Sequence, residues 1–242
     1  MYPWRVTRQG TGPPLVLVHG SVANGASWGA QAPLAERFEL IVPDRGGYWP
    51  NPPLERIDFE AQGREVAELI EPGTHLVAHS YGGVVSLVAA GLRPGDLASL
   101  TLVEPPSFGL AAGHPAVEAL WGALEPLFYE GPADPREFLV RFLALVGSDF
   151  EPPDPLPGPL RQGAEALRAE RPPREAELPT ALDPPPFPCL VVSGAHSEAF
   201  EAICDVLAER LGAERAVLPG AGHTIPRLGA PFNDLLEGFV SG

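Results

Sequence analysis

Basic charge is scarce in this sequence. The 242-residue chain carries 31 acidic residues against 16 basic ones, a formal net charge of −15 at pH 7, and all the basic residues are arginine. An acidic surface keeps a protein soluble and repels polyanions, which excludes nucleic acid and anionic membrane as partners. No block of like charges forms a tail. No apolar run is long enough to suggest a membrane span, and the opening MYPWRVTRQGTGPP lacks the charged-then-apolar layout of a targeting leader. Cysteine is almost missing too. Cys189 falls in an apolar strand-like run and Cys204 in a helical one, so they read as two buried thiols rather than a disulfide or a metal site. These absences point to a cytoplasmic protein.

Proline, by contrast, is abundant, with 31 residues. Clusters such as EPPDPLPGP (151–159) and DPPPFP (183–188) are flanked by periodic apolar segments and read as stiff connections rather than disorder. The apolar fraction of 45% supports one sizeable core. Six short apolar runs recur between turn residues, at 15–18, 40–42, 75–78, 100–103, 189–192 and 216–218. Continuous rather than alternating apolar runs indicate strands buried on both faces, as in a parallel sheet. A strand before the first of them has room only between Trp4 and Arg8.

Helical patterns lie between the runs. Phe59, Val66, Leu69 and Ile70 share one face; Phe200, Ile203, Leu207 and Leu211 share another; Phe232, Leu235, Leu236 and Phe239 a third. Strands alternating with helices predict a doubly wound, mostly parallel α/β sheet. Residues 105–186 break the rhythm with helical candidates at 115–130, 134–147 and 160–170 and no convincing strand. They read as a helical cap inserted between two sheet strands, on a core of residues 1–104 and 187–242. No internal repeat is present.

The most informative segment is HLVAHSYGGVV (75–85). A strand runs into His79-Ser80-Tyr81, and Gly82-Gly83 opens an apolar helix. A serine forced onto a sharp strand-to-helix turn projects its hydroxyl above the sheet edge, provided its neighbours are small. Ala78 and Gly82 satisfy that. A serine that merely caps a helix is the competing explanation. LVLVHGS (15–21) is a second strand that ends in His19-Gly20-Ser21. A loop there can aim a backbone N–H at the same point as the amide of Tyr81, giving two donors for a tetrahedral oxyanion. The donors would be Ser21 and Tyr81, with Val22 as the alternative to Ser21. VLPGAGHTIP (217–226) places His223 in a glycine-rich loop beyond the last strand, where it is a candidate general base for Ser80.

Taken together, His19-Gly20, VPDRGG (42–47), the Ser80 elbow, the helical insertion and PGAGH (219–223) resemble the α/β-hydrolase superfamily, in its capped branch with a serine nucleophile. The resemblance covers almost the whole chain. It implies cofactor-free and metal-free attack by Ser80 on a carbonyl carbon, with His223 moving the proton. The superfamily's acid most often follows the strand here read as CLVV (189–192), but the matching loop SGAHSEAF (193–200) holds Ser197 where an aspartate is expected. Other branches, the haloalkane dehalogenases among them, look similar in placing the acid after the preceding strand. In this chain that strand ends in LTLVEPP (100–106), so Glu104 is the expected acid, with Glu198 as the alternative. Asp44 and Arg45 read as a structural pair near the elbow. His19, Phe108, Trp121, Phe128 and His196 are expected to line the substrate pocket. Ser80 excludes the dehalogenase and epoxide hydrolase chemistry that needs an aspartate nucleophile. What remains is a hydrolase of small esters or related acyl compounds. A carbon–carbon bond hydrolase and a hydrolase-like binding protein with little turnover are the alternatives. Arg136, Arg141, Arg161 and Arg168 in or near the insertion leave room for a carboxylate-bearing substrate. The protein would act on a small molecule, as a monomer or homodimer.

Overall fold

A computed structural model describes residues 4–220 and 222–241. Seven strands form one sheet: β1 (Val6–Gln9), β2 (Pro14–Val18), β3 (Glu39–Pro43), β4 (Thr74–His79), β5 (Leu97–Val103), β6 (Cys189–Ser193) and β7 (Glu214–Val217). Their order is β1-β3-β2-β4-β5-β6-β7, and every pairing is parallel except that of β1 with β3. The chain leaves β2 for one side of the sheet and returns with β4 on the other. The carboxyl ends of β2 and β4 therefore flank the point where the winding reverses, the place where open α/β sheets form a crevice.

The strands sort their side chains by parity. Val16, Val18, Leu76, Ala78, Leu100, Leu102 and Val191 join one core with α1 (Phe59–Ala67), α2 (Tyr81–Leu92) and α6 (Glu198–Leu211). Leu15, Leu17, Val77, Val103, Leu190 and Val192 join a second core with Trp28, Leu34, Phe38 and α7 (Ala230–Val240). Alternate residues of one strand are thus buried on opposite faces, which is why the sequence shows continuous apolar runs. Between β5 and β6 lie α3 (Pro115–Glu130), α4 (Pro135–Leu145) and α5 (Gly158–Ala169). Asp134 caps α4 by accepting from the Glu137 amide at 2.8 Å, with Pro135 opening the first turn. Cys189 and Cys204 are buried and unbridged, and burial pushes the Cys189 thiol up to about 12. Among the described residues no helix is long and apolar enough to cross a membrane.

Three features differ from the sequence reading. The first strand starts at Val6 rather than Trp4 and runs antiparallel. The last begins at Glu214, because an edge strand with one neighbour tolerates polar residues; Arg215 there pairs with Glu201 and Asp205. A 3₁₀ segment over Gly25–Glu36, held by Trp28 and Leu34, has no apolar period to reveal it.

Candidate active site

Ser80 joins β4 to α2 with φ 53° and ψ −131°. A side chain in this region costs about 1–3 kcal/mol and persists only where surroundings over-determine it. Here the Ser80 amide extends the β4–β5 ladder by donating to the Val103 carbonyl at 2.9 Å, and the Gly83 amide closes onto the Ser80 carbonyl at 2.7 Å. The small residues around the turn have steric reasons. A Cβ at Gly82 would lie 2.4 Å from the His19 oxygen, and one at Gly20 2.8 Å from the Ser80 Cβ. Gly82→Ala is therefore expected to lower stability by about 2 kcal/mol or more, read as a fall in Tm with loss of whatever activity Ser80 supports.

β5 is followed directly by Glu104, whose own φ is 45°. Its amide continues the β5–β6 ladder to the Val192 carbonyl at 3.0 Å, while its fully buried side chain turns toward the loop after β7. Glu104 Oε2 accepts from His223 Nδ1 at 2.7 Å, and the Ser80 hydroxyl reaches His223 Nε2 at 2.9 Å. Glu104 Oε1 accepts from the Gly194 amide at 2.7 Å and lies 3.3 Å from His196 Nδ1. Burial opposes ionisation of this carboxyl, but the adjacent imidazole of His196 and the hydrogen bond from His223 outweigh it and bring its pKa to about 2. The carboxylate is thus ionised beside His223. Glu198, at the start of α6, is exposed and has no hydrogen-bond or ion-pair partner among the described residues.

Further contacts hold the imidazole of His223 in place. His79 Nε2 donates to the His223 carbonyl at 2.7 Å, and the Phe200 ring lies 4.7 Å from the His223 ring. Burial, reinforced by the neighbouring His223, lowers the His79 pKa to about 3, so His79 is a neutral donor. Glu104, His196 and His223 bring ligand atoms within 4.8 Å of one another, a spacing that could also hold a metal ion. Direct hydrogen bonds already engage Glu104 and His223 in that cluster.

The loop after β2 is tied from below. Arg45 is fully buried, and its guanidinium donates to the His19 and Gly20 carbonyls at 2.9 Å each, to Gln62 Oε1 at 2.7 Å and to Glu170 Oε1 at 2.9 Å. The carboxylate partner of Arg45 is therefore Glu170 in the helical insertion. Asp44 instead accepts from the Gly25 amide at 2.8 Å, so the expected Asp44–Arg45 pair does not form. His19 was expected at the pocket and is not there. It is fully buried, its Nδ1 bonded to the Gly20 carbonyl at 2.7 Å and its Nε2 accepting from the Arg45 amide at 2.9 Å. Burial and the Arg45 charge lower its pKa, which keeps it neutral.

Ser80 stands where two cavities of about 140 Å³ each meet, both lined by Ser21, Phe142, Val146 and His223. Phe108, Trp121, Phe128 and Leu167 make the first largely apolar. Trp28, Leu143, Phe150 and Leu160 do so for the second. His196 lines neither cavity: it sits behind Glu104 and donates from Nε2 to the Val146 carbonyl at 3.1 Å, which corrects its expected place in the pocket. Of the four arginines noted in the insertion, only Arg168 borders a cavity at Ser80. Arg136 and Arg141 turn to Pro152, Pro153 and Glu137, and Arg161 lines a separate surface groove. Glu170 and His79 escaped the sequence reading. One lies in a charged stretch far along the chain, and the other is masked by the adjacent serine.

A sequence profile described as the Alpha/beta hydrolase family matches residues 15–236. The chain belongs to the alpha/beta hydrolase family. This hydrolase-family chain is 30% identical over 259 residues to the pimeloyl-[acyl-carrier protein] methyl ester esterase of Aeromonas hydrophila, covering 97% of the chain and 98% of that protein. It is 32% identical to the protein of the same name from Methylococcus capsulatus, over 70% of the chain and 65% of that protein, just under two thirds of its length. Among solved structures, a hydrolase from Oleispira antarctica superposes with TM-score 0.74 at 17% identity, covering 100% of this chain and 96% of the other. A thermophilic esterase from Thermogutta terrifontis gives 0.71 at 24% identity, covering 98% and 93%. At these identities the two structures speak to the alpha/beta hydrolase fold alone.

Proposed function

We propose that this alpha/beta hydrolase is a serine esterase that cleaves a small ester, or a related acyl compound, through an acyl-enzyme. The observation that carries this reading is the unbroken hydrogen-bonded series Ser80–His223–Glu104 at the junction of two apolar cavities. The ester character of the relatives in Aeromonas and Methylococcus supports it.

In this mechanism the Ser80 Oγ attacks the carbonyl carbon while its proton passes to His223 Nε2. Glu104, ionised and bonded to Nδ1, orients the ring and stabilises the imidazolium. The carbonyl π electrons move onto oxygen, forming a tetrahedral oxyanion. The amide of Tyr81, at the N-terminus of α2 where helical N–H groups lack intrahelical acceptors, is one donor for that oxygen. The amide of Ser21 is the second, with Val22 as its alternative. Collapse of the intermediate breaks the ester C–O bond, and the leaving alkoxide takes the proton from His223. Water, deprotonated by the same imidazole, then attacks the acyl-enzyme and releases the acid.

With apolar walls on both sides of Ser80, the substrate carries an apolar group on each side of its ester bond. The test is steady-state hydrolysis of p-nitrophenyl esters from acetate to octanoate. kcat/KM is expected to rise about fourfold per methylene for as long as the chain finds apolar wall, since each buried methylene contributes about 0.8 kcal/mol, and then to level off or fall. Rates equal to those of Ser80→Ala across the whole series sink the esterase reading and leave a binding role or a carbon–carbon substrate.

A further inference from the structure

We infer that Glu170 is a positioning residue: from the helical insertion it clamps the Ser21–Val22 turn that supplies the second oxyanion donor. The inference rests on the esterase reading above and adds a residue that touches neither Ser80 nor His223.

The turn itself is strained. Val22 has φ 69°, and the Ala23 amide donates to the Ser21 carbonyl at 2.7 Å, closing a three-residue turn. Turns of this hand are rare, and a β-branched residue at positive φ is a marked outlier. Left alone, such a turn relaxes and swings its amides away from the site. A donor displaced by about 1 Å no longer meets the developing oxyanion, and such misplacement costs roughly 10²-fold in rate.

Three contacts hold the turn. Glu170 Oε2 accepts from the Ser21 hydroxyl at 2.5 Å, Arg45 Nη2 donates to the Gly20 carbonyl at 2.9 Å, and α5 presses on the turn from above. A Cβ at Gly163 of α5 would lie only 2.0 Å from the Val22 carbonyl oxygen, so glycine there lets helix and turn touch backbone to backbone. Glu170 is the element that links the other two. Its Oε1 takes the Arg45 guanidinium at 2.9 Å and the Tyr48 hydroxyl at 2.6 Å, leaving Oε2 for Ser21. Neutralising Arg45 alone would engage one oxygen; the geometry spends the second on the turn.

The position of Glu170 is fixed by the core rather than by the insertion. Ile57 donates to the Ala169 carbonyl and accepts from the Arg171 amide, both at 2.8 Å, a one-residue bridge that pins the backbone on either side of Glu170. The side chain is 3% exposed, and a buried carboxylate is tolerated only when it is paired and hydrogen-bonded, as this one is by Arg45, Tyr48 and Ser21. Glu170 borders the first cavity, but its oxygens are engaged by Arg45, Tyr48 and Ser21 rather than turned to Ser80 or His223. Glu170 therefore acts through Ser21.

The test compares wild type, Glu170→Gln, Ser21→Ala and the double variant, with kcat expressed per active site titrated by a fluorophosphonate and with affinity for an alkyl boronic acid, which forms a tetrahedral adduct. For Glu170→Gln the expected result is a fall in kcat of about 10–100-fold, KM within about threefold of wild type, and boronate affinity weakened in parallel. Ser21→Ala is expected to lose about 3–10-fold in kcat at nearly unchanged Tm, and the double variant to be no worse than Glu170→Gln. A buried ion pair that merely stabilised the fold would lower Tm and the titrated fraction but leave kcat per site and boronate affinity alone; that result overturns the inference, as does a double variant equal to the product of the singles. Should Glu170→Gln fail to fold, Ser21→Ala decides, and wild-type kcat there overturns it. Wild type without Ser80-dependent turnover removes the esterase reading and this inference together, whereas active wild type with an indistinguishable Glu170→Gln removes this inference alone.

Discussion

Ser80→Gly is expected to abolish ester hydrolysis and to make the protein more stable. The two effects have one origin. The hydroxyl is held above the sheet edge only because residue 80 adopts φ 53°, ψ −131°, a region that glycine enters freely and serine does not. Removing the side chain releases about 1–3 kcal/mol of backbone strain, against which about 0.5–1 kcal/mol of extra chain entropy must be set. The net gain of about 1 kcal/mol corresponds to a rise of roughly 2–4 °C in Tm for a chain of this size. Loss of the nucleophile costs about 10⁴–10⁶ in kcat, the range over which serine hydrolases fall to binding and oxyanion stabilisation alone. Calorimetry and p-nitrophenyl ester assays on one preparation check both. A glycine variant less stable than wild type would show that the turn is unstrained and that its geometry has another cause.

Glu104→Gln is the second large effect, with a fall in kcat of about 10³–10⁴. The Gly194 amide donates to Oε1, so the glutamine oxygen must face Gly194 and the amide nitrogen must face His223 Nδ1. Two donors cannot share that contact. The imidazole is forced into the tautomer with hydrogen on Nε2, where it cannot take the Ser80 proton. Ser80 is expected to remain in place and to react slowly with a fluorophosphonate. Glu198→Gln, on the surface, is expected to stay within about twofold of wild type; the reverse pattern would move the acid to α6. The same carboxylate also leaves a mark on acid stability. Its pKa is about 2 in the folded chain, against about 4.3 when unfolded. The stabilisation is complete above about pH 4.5 and is lost as pH falls toward 2, so urea midpoints of wild type should drop more steeply over that window than those of Glu104→Gln.

Much of this arrangement is legible in the chain because it depends on local signals. Runs such as Leu15–Val18 and Leu190–Val192 are apolar at every position since parity sends their side chains to two different cores. The elbow is readable because Gly82 has no room for a Cβ, and Ser80 follows a strand directly. Glu104 is reached through the resemblance to branches that place their acid after this strand; in the structure the next strand's loop offers its carboxylate the Gly194 amide. What was illegible depends on contacts between distant segments. Nothing in RAERPPRE marks Glu170 as the partner of Arg45, 125 residues earlier. His19 and His196 were misplaced because a histidine next to a glycine-rich loop gives no sign of whether it faces a cavity or a carbonyl. Nothing local marks His79, which ties down the backbone of His223.

The central claim is that Ser80 is the nucleophile of an ester hydrolase. The most direct test is to treat the protein with a fluorophosphonate, follow p-nitrophenyl butyrate turnover as label accumulates, and map the adduct by mass spectrometry. The account requires one label per chain, located on Ser80, with turnover falling in proportion to labelling and no label on Ser80→Ala. Turnover that survives full labelling, or an adduct on another residue, would contradict it.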